Sequence, residues 1–408
     1  MFYCYSFIVV VFSIFLGIYL YYQNRFKKSF FIEEYFDYIV TNKALSTQPC
    51  EKERTLQPKI SIIVCARNEE KNIKYLLEAL LKQEYDFSHV EILVANDQST
   101  DETEMILEQY CQKHDFIKSF IVKNRENVRS PKKNALKQAI ELSKGDIILL
   151  TDADCEPSRN WIKSHVMMYE RYPETEMVVG FAKTKIIYDD QSPHIPLRIR
   201  KQKTVSLFEH IDFLILMYAA QGAIQAGHPF SCSGQNLSYK RSSFYAVDGF
   251  DKIDQYVSGD DLLLMQKFVK NGKIIKFAAF RDAFTETNPI VSWKALINQR
   301  ARWASNLKAM YNMNIKFFIY LLSCFFCMGL MPFFVFFLYL FKVFMDTRFI
   351  NYIEKTTYHT QPPHANEDNC PLPLSISVLA FWYIICPFYI LTVSVLGIFS
   401  FFKWKDRR

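Results

Sequence analysis

The chain has 408 residues, of which half are hydrophobic and 37 are phenylalanine, a proportion that is high for a soluble protein. Its length holds one large domain or two modest ones. The net charge of +7 suits contact with anionic lipid or with nucleic acid, and no RNA- or DNA-binding motif supports the second.

The apolar excess falls in three runs. Phe2 to Tyr22 carries no charge and reaches the ~20 residues that cross a bilayer. No basic residue precedes it and no small-residue cleavage site follows, so residues 1–24 read as a membrane helix and not as a signal peptide. Phe317 to Phe341 predicts a second span over 315–345, and Pro332 leaves open whether it is one piece or two. Leu374 to Phe402 predicts a third over 374–403. Arg25, Lys27 and Lys28 follow the first span; Lys403 and a basic tail (404–408) with Lys405, Arg407 and Arg408 close the third. The loop 346–373 sets only Arg348 and Lys355 against Asp346, Glu354, Glu367 and Asp368. By the positive-inside rule the large middle region and the C-terminus face the cytoplasm, in an integral membrane protein whose 346–373 loop lies outside. The C-x-x-C of Cys324 and Cys327 sits within an apolar run, where packing outweighs zinc or redox chemistry, and Cys370 in the outer loop has no evident partner.

Beyond a charged linker (25–57), residues 58–314 alternate strand-like and helix-like segments. "KISIIVCARNEE" (Lys59 to Glu70) is a β-branched strand that runs into polar residues, followed by the helical spacing of Ile73, Leu76, Leu77, Leu80 and Leu81. "VEILVANDQSTDET" repeats the design and leads into the helix "EMILEQYCQK"; "FIKSFIVKN" is a third strand, "NALKQAIELS" a helix and "DIILLTDAD" a fourth strand. Such alternation predicts an α/β domain with a parallel sheet covered on both faces.

Several of these strands end in acid. Asp152 and Asp154 lie two apart on an extended chain, so they point the same way at the carboxyl end of a buried strand, where open α/β sheets bind ligands. Two like charges so close favour a divalent cation with oxygen ligands; a solvated turn is the plain alternative. In "NDQSTD", Ser99 or Thr100 with Asp101 and Glu102 also fits a helix N-cap, but capping does not require Asp97. "SGDDLLLM" sets Gly259, Asp260 and Asp261 before a helix, where an aspartate is either an N-cap or a general base. "INQRARWASN" offers Gln299, Arg300, Arg302 and Trp303 just before the second span, either as an interfacial anchor or as a phosphate clamp beside an indole face.

The set "CARNEE", "ANDQSTDET", "LLTDADCEP", "SGDDLLLM" and "QRARW", in that order over Lys59 to Trp303, resembles the family 2 inverting glycosyltransferases of the membrane-embedded type related to cellulose and hyaluronan synthases. The most specific element is Gln299, Arg302 and Trp303, which fit that family's Q-x-x-R-W. The resemblance implies a GT-A, Rossmann-like domain for nucleotide-diphospho-sugars. It assigns Asp97 to the nucleotide, with Glu69 and Lys132 nearby, the last in "PKKNAL". It assigns Asp154 to Mg²⁺ or Mn²⁺ on the diphosphate, and Asp152 to nucleotide and metal. Asp261 becomes the general base, with Asp260 beside it. Gln299, Arg302 and Trp303, with Asp260 and with Gly234 and Asn236 of "SCSGQNLSYKR", become contacts to acceptor or diphosphate. Asn96 stands where the family usually has a first aspartate, and Gly259-Asp260-Asp261 is nearer the hyaluronan and chitin synthase pattern than the cellulose one. The implied partners are a nucleotide-diphospho-sugar, a UDP-sugar by family, and a lipid, lipid-linked or glycan hydroxyl. Three spans are few for a self-made polysaccharide channel, so a synthase subunit with an export partner is the alternative. An inactive membrane scaffold and a metal-dependent nucleotidyltransferase come after it.

Overall fold

The computed structural model describes residues 2–29, 58–123, 128–185, 201–279, 284–359 and 376–402. Residues 30–57 of the linker, the 360–375 segment with Cys370, and the basic tail lie outside the described residues.

The predicted strands form as β1 (Ile60–Ala66), β2 (Val90–Asn96), β3 (Ile117–Ile121) and β4 (Ile147–Asp152). They are joined by α2 (Ile73–Leu81), α3 (Thr103–Lys113) and α4 (Pro131–Leu142). Alternation along β1 sends Ile60, Ile62, Val64 and Ala66 to one core, with Ile73, Leu76, Leu77 and Leu80 of α2. Ile63 goes to the other core, with Ala135, Leu136, Ala139 and Ile140 of α4. Both faces are thus covered, as near-continuous apolar strands require.

Four elements complete this layer: α5 (Trp161–Arg171), β6 (Thr175–Gly180), β8 (Leu237–Lys240) and β9 (Ile274–Ala278). The seven-stranded order is β3-β2-β1-β4-β8-β6-β9. The sheet is mixed and not parallel throughout, because β8 runs antiparallel to both β4 and β6. That reversal has a use. The start of β8, and so the preceding "SCSGQN" loop, lies at the same edge as the ends of β1, β2 and β4. Register levels those ends, with Cys65 opposite both Ala95 and Asp152, and Ala66 opposite Asn96. A second small sheet has β10 (Thr285–Thr287) between β5 (Cys155–Pro157) and β7 (Ala182–Thr184).

The helical part carries the expected apolar helices and one more. Among the described residues four helices are long and apolar enough to cross a membrane: Ile8–Lys27, Thr204–Gln225, Ile315–Phe334 and Phe381–Ile398. They belong to α1 (Phe2–Ser29), α6 (Lys201–Gln225), the α11–α12 segment, and α14 (Ile376–Ile398). Here α7 is Arg241–Ala246, α8 Leu262–Lys270, α9 Trp293–Ala304, α10 Leu307–Met313, α11 Ile315–Cys324 and α12 Met331–Phe334. The unforeseen one, α6, is two-thirds buried within the protein.

The second apolar run is also not one straight span to residue 345 followed by a loop. A π-helical stretch (Phe325–Leu330) and Pro332 precede a break at Val335, and α13 (Phe336–His359) starts afresh. Tyr22 and Phe26 of α1 meet Tyr320 of α11, and Phe12 meets Phe326 and Phe334. Tyr19 then donates to Asp346 Oδ1 at 3.0 Å. Contacts that climb α1 along α11 and descend it along α13 mean that the chain turns back at Val335. Asp346, expected in the outer loop, is buried and also accepts from Gln23 at 2.6 Å and Tyr383 at 2.9 Å.

Candidate active site

Two strand-end loops are laced together at the carboxyl edge. Asn68 and Gln98 adopt left-handed φ of 53° and 55°, which lets the loops after β1 and β2 face each other. The Asn68 N–H donates to Ser99 Oγ (3.1 Å), the Thr100 N–H to Asn68 Oδ1 (2.8 Å) and the Glu70 N–H to Asp101 Oδ2 (3.1 Å). Ser99 and Thr100 are therefore not the helix cap; Glu102 holds that position without a side-chain bond, and Asp101 just before it accepts from the Thr103 N–H at 3.1 Å and its hydroxyl at 2.6 Å. Glu69 Oε2 accepts from Asn72 at the entry to α2 (2.8 Å). Asp97 is buried at the tip of β2, its N–H on the Ala66 carbonyl at 2.8 Å. Arg67 donates to the Asp97 carbonyl at 2.9 Å, and its guanidinium stands 4.0 Å from the Asp97 carboxylate.

Lys132, near the start of α4, joins two of the predicted clusters. Its ammonium is 2.8 Å from Asp152 Oδ1 and 2.9 Å from Asp260 Oδ2. Strand-end acid and pre-helix acid, 108 residues apart in number, thereby share one cation. Burial alone would raise the Asp260 carboxyl, but Lys132 outweighs it and holds the group below the ordinary carboxylate range. Asp261 behaves oppositely. Burial first, then the Asp260 charge, raise its pKa above the usual value. Both its oxygens are held by backbone: the Gly234 N–H donates to Oδ2 at 2.7 Å and the Leu262 N–H to Oδ1 at 2.6 Å. Asp261 is thus both the N-cap of α8 and a carboxylate of elevated basicity. Gly234 lies against it, since a Cβ there would stand in van der Waals contact with Asp261 Oδ2 at 3.4 Å.

Lys133 was not foreseen. It is 1% exposed and donates to the carbonyls of Tyr256 (2.6 Å) and Ser258 (2.7 Å), while Ser130 donates to Val257 O at 3.3 Å. The start of α4 thus clasps the loop that delivers Gly259-Asp260-Asp261. Its only trace in the chain's pattern is a second lysine in "PKKNAL".

Asp154 occupies the turn between β4 and β5, its carbonyl accepting from Thr287 at 3.4 Å. Among the described residues no three acids, histidines or cysteines converge as a metal cage. Asp152, whose second oxygen Lys132 does not take, and Asp154 supply two carboxylates at an open edge. That donor set fits Mg²⁺ or Mn²⁺ bound with substrate phosphates and water, and not an all-protein site.

Gln299, Arg302 and Trp303 lie on α9, started by Ser292, whose side chain accepts from the Ala295 N–H at 3.2 Å. Burial lowers the Arg302 pKa, and the charges of Asp260, Asp152 and Asp261 act against that shift. Gln299 accepts from Arg300, whose guanidinium lies 4.1 Å over the Trp303 ring.

One expected contact is corrected. Asn236 is fully buried: its Oδ1 accepts from Trp161 Nε1 (2.9 Å) and His165 Nε2 (2.7 Å), and its amide donates to Phe181 O (2.9 Å). Gly180 makes the room, since a Cβ there would meet the Asn236 amide at 2.2 Å. The side chain supports the sheet beneath the site and is not available to a substrate.

The pattern of glycosyl transferase family 2 matches residues 61–246, and that of glycosyl transferase family group 2 matches residues 159–396, more than half the chain. The chain belongs to the family 2 glycosyltransferases. It is 30% identical over 249 residues to the probable glycosyltransferase YdaM of Bacillus subtilis, covering 60% of this chain and 54% of that one. It is 32% identical over 114 residues to a beta-monoglucosyldiacylglycerol synthase of Nostoc, covering 28% of this chain and 24% of the synthase. The chain thus spans about half the length of the first relative and about a quarter of the second. The solved mannosyltransferase PcManGT of Pyrobaculum calidifontis, in complex with GDP-Man and Mn²⁺, superimposes with a TM-score of 0.54 over 95% of this chain and 99% of that one. At 16% identity that likeness establishes the shared GT-A fold.

Proposed function

We propose that this family member is a membrane-bound inverting glycosyltransferase. It moves a sugar from a nucleotide-diphospho-sugar, a UDP-sugar by family resemblance, to a hydroxyl of a lipid, lipid-linked or glycan acceptor. The observation that carries this is Lys132, which draws Asp152 and Asp260 together beside a basic Asp261. Asp97 and the Arg67 side chain supply polar groups for a nucleotide at the tip of β2. The metal, when bound through Asp154 and Asp152, supplies positive charge to the departing diphosphate.

Asp261 takes the proton from the acceptor hydroxyl as its oxygen attacks the anomeric carbon from the face opposite the diphosphate. The new bond is anomeric carbon to acceptor oxygen; the bond broken is anomeric carbon to phosphate oxygen, and the nucleoside diphosphate leaves with that electron pair. The two backbone N–H groups fix the Asp261 carboxylate in orientation, and its raised basicity suits it to the transfer. Arg302 adds positive charge near the leaving group. The apolar helices and the basic residues at the C-terminal end of α1 support a membrane location with the catalytic domain in the cytoplasm. A lipid hydroxyl is favoured because α1 docks Tyr22 and Phe26 directly into the catalytic core beside Phe230.

The test is release of nucleoside diphosphate by the full chain in lipid nanodiscs, offered UDP- and GDP-sugars with Mn²⁺. Metal-dependent release confined to one donor and abolished in Asp261→Asn is expected. Release undiminished in that variant would remove Asp261 from the chemistry, and no nucleotide binding at all would remove the transferase.

A further inference from the structure

The helix that carries Gln299 and Trp303 holds a buried ion pair that the scheme above does not use. Arg300 donates from Nε to Asp212 Oδ2 at 2.9 Å, with only 5% and 9% of the two side chains exposed. Tyr389 of α14 donates to the same oxygen at 3.1 Å. Asp212 lies within the 22-residue apolar stretch of α6, Thr204–Gln225, two-thirds buried within the protein, where an ionised side chain is costly unless it is paired. A structural staple between helices would need only the pair itself. Arg300 does more. A second arm, Nη1, donates to Gln299 Oε1, and the flat of the guanidinium covers Trp303 at 4.1 Å and faces Phe213 at 5.8 Å. Only a planar fork with several fixed donors makes these contacts together. The backbones of α9 and α14 also approach closely, since a Cβ at Gly397 of α14 would meet Ala304 Cβ at 2.7 Å and Ala301 O at 2.8 Å.

We propose that Arg300 is a positioning residue: anchored by Asp212 and Tyr389, it sets the side chains of Gln299 and Trp303 and so ties the acceptor side of the site to α6 and α14. This rests on the transferase reading, in which Gln299 and Trp303 face the acceptor. A misplacement of about 1 Å at such a site costs up to about a hundredfold in rate, so the effect belongs in turnover and not in donor binding.

The experiment compares three full-length proteins in nanodiscs: wild type, Arg300→Met with Asp212→Leu, and Arg300→Lys. Removing one charge alone would strand the other, whereas replacing a buried pair with apolar residues is often neutral for stability. Each protein is measured for thermal stability, UDP binding with Mn²⁺, steady-state nucleoside diphosphate release, and hydrogen exchange across residues 293–304. The double variant is expected to match wild-type stability and UDP affinity within about twofold. Its turnover should fall about tenfold or more, donor KM should hold, and exchange in α9 should accelerate about tenfold. Arg300→Lys, which keeps the charge but lacks the fork, is expected to do the same, and it decides the matter if the double variant fails to fold. Wild-type turnover and exchange in either folded variant would overturn the proposal and leave a staple. If the wild type neither binds UDP nor releases product, the transferase reading fails by itself. The exchange contrast then judges the clamp separately: unchanged exchange overturns it, and faster exchange upholds it.

Discussion

Replacing Asn236 with alanine separates a support role from a substrate contact. Three hydrogen bonds end at its amide, from Trp161, from His165 and to Phe181 O. Trp161 and His165 are fully buried, so their N–H groups would be stranded, each at about 1–3 kcal/mol, and the emptied space beside Gly180 adds a cavity cost. The sum is about 3–6 kcal/mol, a large part of the stability of any domain. At about 2.1 cal/mol/K of unfolding entropy per residue, a chain of 408 residues shifts by roughly 1 °C per kcal/mol, so the melting temperature should fall by about 3–7 °C. Gly180→Ala should give a similar loss with the asparagine still in the sequence, because its Cβ would be built 2.2 Å from Asn236 Oδ1 and would push that side chain out of place. Thermal unfolding in nanodiscs, followed by intrinsic fluorescence, measures both. A melting temperature within about a degree of wild type, with activity lost through acceptor KM alone, would refute the support role.

Four further outcomes follow from the geometry. His165 is held neutral by burial, its pKa pushed down to about 4 from 6.5, so the folded state binds fewer protons than the unfolded one between those values. Stability should fall as pH drops from 6.5 toward 4, by roughly 3 kcal/mol in all, and His165→Gln should flatten that slope in pH-dependent urea melts. Turnover should rise with pH through a value above the ordinary carboxylate range, because Asp261 must be ionised to act; Asp260→Asn removes a charge that raises it and should move that limb to lower pH. Lys133→Met should leave UDP binding near wild type and slow release about tenfold or more, with faster hydrogen exchange at 256–261 as the sign that the loop has been freed. Chelation of divalent metal should abolish donor binding and return it on adding Mn²⁺; calorimetry that shows undiminished binding in chelator would rule out the role given to Asp154.

The strands and their acidic ends were legible because β1, β2 and β4 are unbroken apolar runs that stop abruptly in polar residues, and buried strands must read that way. The mixed pairing of β8 was not, since four residues of "LSYK" carry no sign of direction. Helix α6 escaped notice because Glu209, His210 and Asp212 interrupt its apolar pattern. Each is satisfied by a distant partner: Ile290 N–H, Thr184 and Arg300 respectively. Asn236 misled for a related reason, since an asparagine beside a strand start looks the same in sequence whether it faces a ligand or a tryptophan. Lys132 was legible through its motif alone; Lys133, its neighbour, acts on a loop more than 120 residues away that no local spacing reveals.

The pairing of Asp212 also sets an order of assembly. Its partners emerge 88 and 177 residues later, which at ribosomal rates of ~5–20 residues per second means roughly 4–18 s before Arg300 exists and roughly 9–35 s before Tyr389 does. During that interval α6 carries an uncompensated acid, and it has no stable resting place among apolar neighbours. A nascent chain therefore completes its catalytic sheet before the helix beneath it can settle. Loss of α14 from the C-terminus would strand that acid with one partner fewer, far from the lesion itself.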